Sequence, residues 1–135
     1  MTGPAKILAV DDEADFELLI RQQFRHQIRA QEYDFSFARH GEEALAVLAK
    51  DPEIELMLLD IGLPKMNGYE LIKKAKEIDK QVKVVLMSAF EINNEEFHNM
   101  LSDIKVDGFL QKPFSMWKLN DVIEKIALGI DCVFV

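Results

Sequence analysis

Acids, a hydroxyl and a lysine stand where short apolar runs give way to polar chain. Asp11, Asp12 and Glu13 follow "KILAV", Asp60 ends "IELMLLD", Ser88 closes "VKVVLMS", and Lys112-Pro113 follow "DGFLQ". If these runs are neighbouring strands, side chains from position 11 to position 112 meet at one sheet edge. Two carboxylates brought to about 4 Å repel by roughly 4 kcal/mol at an effective dielectric of 20. Such a cluster requires positive charge. Hard oxygen ligands with no neighbouring cysteine or histidine suit Mg2+ or Mn2+, with Lys112 as a fixed second cation. The combination favours phosphate. A carboxylate held beside both cations can attack phosphorus in line while they neutralise the transferring oxygens. The Ser88 hydroxyl can donate a hydrogen bond to the product.

The elements that must position these groups follow from hydrophobic periodicity. After "KILAV" at 6–10, Phe16, Leu19, Ile20, Phe24 and Ile28 recur at steps of three and four, predicting one long helix over 14–30. "DFSFA" at 34–38 is a second strand. Gly41 opens a short helix with Ala44, Leu45, Val47 and Leu48 on one side, and Pro52 stops it by disfavouring helix at Asp51. The third strand covers 54–59. Asn67-Gly68 turn the chain into a helix carrying Leu71, Ile72, Ala75 and Ile78. A strand at 82–89, a helix striped by Phe97, Met100, Leu101 and Ile104, a strand at 107–111 and a helix with Leu119, Val122, Ile123 and Ile126 complete the series. Strand-helix alternation with nearly continuous apolar strands predicts an α/β, doubly wound (βα)5 fold with a five-stranded parallel sheet in the order 2-1-3-4-5, flavodoxin-like. Ligands bind such sheets outside the carboxyl ends of the strands, where the acids fall.

A chain of 135 residues with 49% hydrophobic content suits one cored domain over 1–135, with a core of about 5–128. The tail 129–135 is expected to pack on the sheet edge, pair with a neighbour or begin a linker. A formal net charge of -8 opposes direct nucleic-acid binding. Apolar runs of about six residues fall far short of the roughly 20 that span a bilayer, and no signal-peptide layout opens the chain. A cytoplasmic protein without a membrane partner is expected. Cys132 stands alone, which excludes an intrachain disulfide.

The quoted segments "VDDE", "LLDIGLPKMNG", "MSA" and "DGFLQKPF" stand in order on the right elements, and together the chain resembles a receiver domain of a two-component response regulator, in the CheY-like superfamily. The resemblance covers nearly the whole chain. It implies that Asp60 accepts a phosphoryl group from a phosphohistidine in a histidine kinase or histidine phosphotransfer protein. It implies that Asp12 and Asp60 ligate Mg2+ directly, Asp11 mainly through water, and Gly62 through its backbone carbonyl, with Lys112 bridging the phosphoryl oxygens and Asp60. A cis peptide bond before Pro113 is also implied. Ser88 and Phe109 resemble a switch pair, whose rearrangement alters a face made by the helix near 97–104, the fifth strand and the last helix.

Certain positions depart from the family's commonest pattern. Phe109 stands where tyrosine is frequent, which predicts a bias toward the inward ring. Phe90 is bulky at a position that in this family borders the path of a hydrolytic water, and Gly62 offers no side chain to guide that water, which together predict slow loss of the phosphoryl group. Expected partners include an output domain or target protein, and a homodimer formed on phosphorylation. The domain is expected to act on no outside substrate, catalysing only its own phosphorylation and dephosphorylation. The alternatives are a degenerate receiver used only for protein binding and an aspartyl-phosphate phosphohydrolase; the latter usually needs a second acid where Gly62 stands. A flavin module is disfavoured because acids would face the flavin phosphate. His26, His40 and His98 fit no metal spacing and are expected on the surface or beside helices, and Glu95-Glu96 on a solvated face. Phe16, Phe24, Met57 and Met100 are expected in the core, and Trp117, with Met116 and Phe114, either as an anchor for the last helix or on a partner-binding face.

Overall fold

The computed structural model describes residues 4–60, 68–88, 106–112, 114–127 and 133–134. Its strands are β1 (Ala5–Val10), β2 (Tyr33–Ala38), β3 (Leu56–Asp60), β4 (Lys83–Ser88), β5 (Gly108–Gln111) and β6 (Val133–Phe134). Its helices are α1 (Ala14–Gln23), α2 (Arg25–Arg29), α3 (Gly41–Lys50), α4 (Gly68–Ile78) and α5 (Met116–Ala127). The strands lie in the order β2-β1-β3-β4-β5-β6, each paired parallel to its neighbour. The first five follow the expected 2-1-3-4-5 order. The tail extends the sheet with a sixth strand, pairing Gly108 with Val133 and Phe109 with Phe134.

Side-chain alternation divides the core between the two faces of the sheet. Leu8, Val10, Met57, Leu59, Val84, Leu86 and Phe109 join Ala44 and Leu48 of α3 and Leu71, Ile72 and Ala75 of α4. Ile7, Ala9, Leu58, Val85, Met87 and Leu110 face Phe16 and Ile20 of α1 and Leu119, Val122, Ile123 and Ile126 of α5. With both faces covered, the central strands are apolar throughout. Burying each large aliphatic side chain stabilises the fold by about 1.5–3 kcal/mol.

The long first helix predicted from the sequence is interrupted. Phe24 has φ -105 and ψ 18, outside helical geometry, and separates α1 from α2. Its buried ring lies 5.8 Å from Tyr33 and 5.6 Å from Phe35, so packing on β2 accompanies the local departure. Hydrogen bonding continues across the junction, from Phe24 N–H to the Ile20 carbonyl and from Ile28 N–H to the Phe24 carbonyl. A Schellman turn then closes α2: Gln31 N–H donates to the Ile28 carbonyl and Glu32 N–H to the Gln27 carbonyl, with Gln31 at φ 60.

His40 flanks a helix as expected, and its Nδ1 accepts the Glu43 N–H at 3.2 Å to cap α3. Asp51 ends that helix ahead of Pro52 and pairs with Lys6 at 2.9 Å, joining the connection to β1. Of the two places expected for Trp117, the structure rules out the helix anchor: it is 75% exposed, whereas Phe114 and Met116 pack partly buried against the α1 and α5 face. At the first turn of α5, the tryptophan occupies the solvent side of a helix whose inner stripe begins with Leu119. Ile78 at the end of α4 is also exposed rather than on the buried stripe. Phe16, Phe24 and Met57 are core residues; Met100 and the expected helix around 97–104 lie outside the described residues. Among the described residues, no helix is long and apolar enough to cross a membrane.

Candidate functional site

The carboxyl ends of β1 and β3 bring the acids together. Parallel pairing sets Val10 beside Leu59, so Asp11 and Asp60 emerge at nearly the same height. Asp11 N–H donates to the Ala38 carbonyl of β2 at 3.0 Å, which fixes the backbone as it leaves the sheet. Its Oδ1 accepts the Glu13 N–H at 2.9 Å, and Oδ2 lies 2.8 Å from Lys112 Nζ. Asp11 is only 4% exposed, and these bonds compensate the loss of hydration. Asp12 faces solvent and Asp60 is partly buried. Ligand oxygens of Asp11, Asp12 and Asp60 all lie within 4.8 Å of one another.

Lys112 enters from β5. Its backbone N–H donates to the Ser88 carbonyl at 2.7 Å, continuing the β4–β5 pairing to the site. The ammonium reaches Asp11 at 2.8 Å and Asp60 at 3.4 Å. It also stands 5.5 Å from the centroid of the Phe16 ring, within cation–π range. Burial lowers the lysine pKa, but hydrogen bonding and charge from Asp11, followed by Asp60, outweigh it and leave the pKa above 10.5. Lys112 is therefore charged throughout the neutral range.

Ser88 is buried at the end of β4, and Phe109 is buried among the α3 and α4 side chains. The described ring thus occupies an inward position. Gly62, Phe90 and Pro113 lie outside the described residues, as do the carbonyl, water path and peptide bond expected there. Asp11, Asp12, Asp60, Ser88 and Lys112 come from four strand ends, as their sequence positions require.

The donor set fits a hard divalent cation. Three carboxylates against one ammonium give a formal local charge of 1 - 3 = -2, and every nearby side-chain donor in the acid group is oxygen. Asp11 commits one oxygen to Lys112 and the other to the Glu13 N–H, whereas exposed Asp12 is open to an incoming ion. Beside the cluster, a groove of about 260 Å³ is lined by Glu13, Asp15, Phe16, Leu19, Lys112, Phe114 and Met116. Sequence reading assigned Phe16 to the core alone and missed its second role beneath Lys112. The available signal was its place in the first helical turn after the acids.

A doubly wound parallel sheet with carboxylates and a lysine at its carboxyl edge defines a receiver-type fold and site. The family model for the response regulator receiver domain matches residues 7–124, and the chain belongs to that family. It is 32% identical over 124 residues to sporulation initiation phosphotransferase F of Bacillus subtilis, covering 89% of this chain and 91% of that protein. It is 31% identical over 122 residues to the alkaline phosphatase synthesis transcriptional regulatory protein PhoP of the same organism, covering 90% of this chain. The match spans only 48% of PhoP. Among solved structures, chemotaxis protein CheY4 of Vibrio cholerae superposes with a TM-score of 0.74 at 27% identity, covering 91% of this chain and 98% of that chain. A structure of the CheX-CheY-BeF3-Mg2+ complex from Borrelia burgdorferi matches with a TM-score of 0.71 at 25% identity, covering 92% of this chain and 90% of that chain.

Proposed function

We propose that this receiver domain accepts a phosphoryl group on Asp60 from the phosphohistidine of a histidine kinase or phosphotransfer protein. The observation that carries the reading is the Lys112 ammonium shared between Asp11 and Asp60, beside a carboxylate cluster suited to a divalent ion. A carboxylate oxygen of Asp60 attacks phosphorus as the phosphorus–nitrogen bond of the donor breaks, and the leaving imidazole retains the bond's electron pair. Lys112 balances charge on the phosphoryl oxygens, while Asp11 holds the ammonium in place. Asp12 and Asp60, with the Gly62 carbonyl, would hold Mg2+, or Mn2+ in its place; the bound ion supplies charge neutralisation during transfer.

The groove beside Lys112 is the docking place we assign to the donor. Its floor contains Phe16, Phe114 and Met116, and Leu19 is exposed along its side. This arrangement suits an amphipathic partner surface bringing its phosphohistidine to the acids. Ser88 and Phe109 form the switch, with phosphorylation drawing the hydroxyl toward the site and allowing the ring to rearrange. The output face comprises β5, α5 and the segment near 97–104. Phe90 and Gly62 slow loss of the phosphoryl group. No outside substrate is transformed; the domain catalyses its own phosphorylation and dephosphorylation.

The test is incubation with acetyl phosphate and Mg2+, read by intact mass. Unmodified protein should gain one phosphoryl group, and Asp60→Asn should gain none. Equal gain by both proteins overturns the assignment to Asp60. No gain by the unmodified chain favours a receiver used only for protein binding.

A further inference from the structure

Asp107 is a charged residue buried far from the acid cluster. It precedes β5, at the amino edge of the sheet, and is only 3% exposed. Its backbone N–H donates to the Val84 carbonyl at 2.8 Å, while its Oδ2 accepts the Val84 N–H at 2.8 Å. One residue thus satisfies both backbone groups of Val84, using its carboxylate in place of a strand acceptor. Lys76 from α4 lies 3.9 Å from Oδ2, and Lys83 at the start of β4 lies 4.0 Å from Oδ1. Lys76 also donates to the Val82 carbonyl. The carboxylate therefore joins α4, β4 and the entry to β5.

We infer that Asp107 is a positioning residue that locks the register of β5 and so sets where Lys112 stands. The inference rests on the phosphoryl-accepting role proposed for the site. β5 contains only four residues, so each hydrogen bond at its ends carries a large share of the pairing. Asp107 fixes the amino end on Val84, and the Lys112 N–H fixes the other end on the Ser88 carbonyl. Between them, Phe109 shares Asp107's side of the strand, while Leu110 points to the opposite core. A one-residue slip would reverse those faces and displace Lys112 from Asp11 and Asp60. The lysines balance the buried charge, and the Val84 N–H supplies direction.

The experiment compares full-chain Asp107→Ala and Asp107→Asn with the unmodified protein. Hydrogen exchange at the Val84 and Lys112 amides is measured alongside phosphorylation by acetyl phosphate with Mg2+. Asp107→Ala should lose protection at both amides, with β1 amides unchanged, and accept phosphate about tenfold more slowly. Asp107→Asn retains an oxygen for Val84 and should restore Lys112 protection and a rate within about twofold of the unmodified chain. Unchanged exchange at Lys112 in Asp107→Ala overturns the positioning role. If that variant does not fold, Asp107→Leu, which fills the space but offers Val84 no acceptor, takes its place: lost Lys112 protection supports the role, and unchanged protection overturns it. Exchange is read without phosphoryl transfer, so failure of the unmodified chain to accept phosphate bears on the functional proposal separately.

Discussion

Lys112 lies closer to Asp11, at 2.8 Å, than to Asp60, at 3.4 Å. The lysine at the end of β5 is therefore anchored by the first strand while reaching the third. Replacing it with methionine removes the ammonium but keeps much of the stem beside Phe16. Lys112→Met should slow phosphoryl acceptance about a hundredfold, because charge on the transferring oxygens loses a fixed partner. The same substitution should strengthen Mg2+ binding by making the carboxylate cluster more negative. Rates of mass gain and a Mg2+ titration followed by thermal shift check these opposite expectations.

Tyr33 supplies a pH dependence independent of the acid site. Burial, then the charges of Glu124 and Glu32, push its phenol from 10.0 up to about 12. Its hydroxyl donates to Asn120 on α5, joining that helix to β2. Because the folded pKa is the higher one, the unfolded chain loses this proton first as pH rises. The contribution is fully present below about 10 and disappears as pH climbs to about 12, a change on the order of 2 kcal/mol. Urea unfolding across that interval should show the decline, and Tyr33→Phe should flatten it.

Gln31 holds φ 60 in the turn that closes α2. This left-handed conformation carries steric strain for a residue with a β-carbon, and glycine avoids it. Gln31→Gly should raise stability by about 0.5–1 kcal/mol, measured by chemical denaturation. A decrease would show that the glutamine side chain contributes more than its backbone strain removes.

Trp117 is the sole tryptophan and faces solvent. Its fluorescence should show a water-exposed emission maximum and ready quenching by iodide. Trp117→Ala should change stability by no more than about 0.5 kcal/mol, as expected for a surface position away from the core. A buried emission spectrum or a large loss of stability would contradict this placement.

Much of the architecture was legible in the chain because each half of a buried pattern is local. The runs ending at Val10, Leu59 and Ser88 are apolar because their strands are covered on both faces. The helical stripes of Leu71, Ile72 and Ala75, and of Leu119, Val122, Ile123 and Ile126, likewise follow from helical geometry alone. The interruption at Phe24 was less legible because its periodicity fits one helix, while its ring geometry depends on Tyr33 and Phe35 in another strand. The place of Trp117 stayed open for a related reason: neighbouring apolar residues in sequence do not fix which side of a helix faces water.

By itself, the sequence determined the alternating elements, the acidic strand end and the family resemblance, because burial periodicity and motif order are written along the chain. Tertiary structure decided that Lys112 is held nearer Asp11 than Asp60 and that Asp107 satisfies Val84. It also decided that a sixth strand borders β5. Those facts depend on the relative height and direction of separately folded elements, which packing sets in three dimensions.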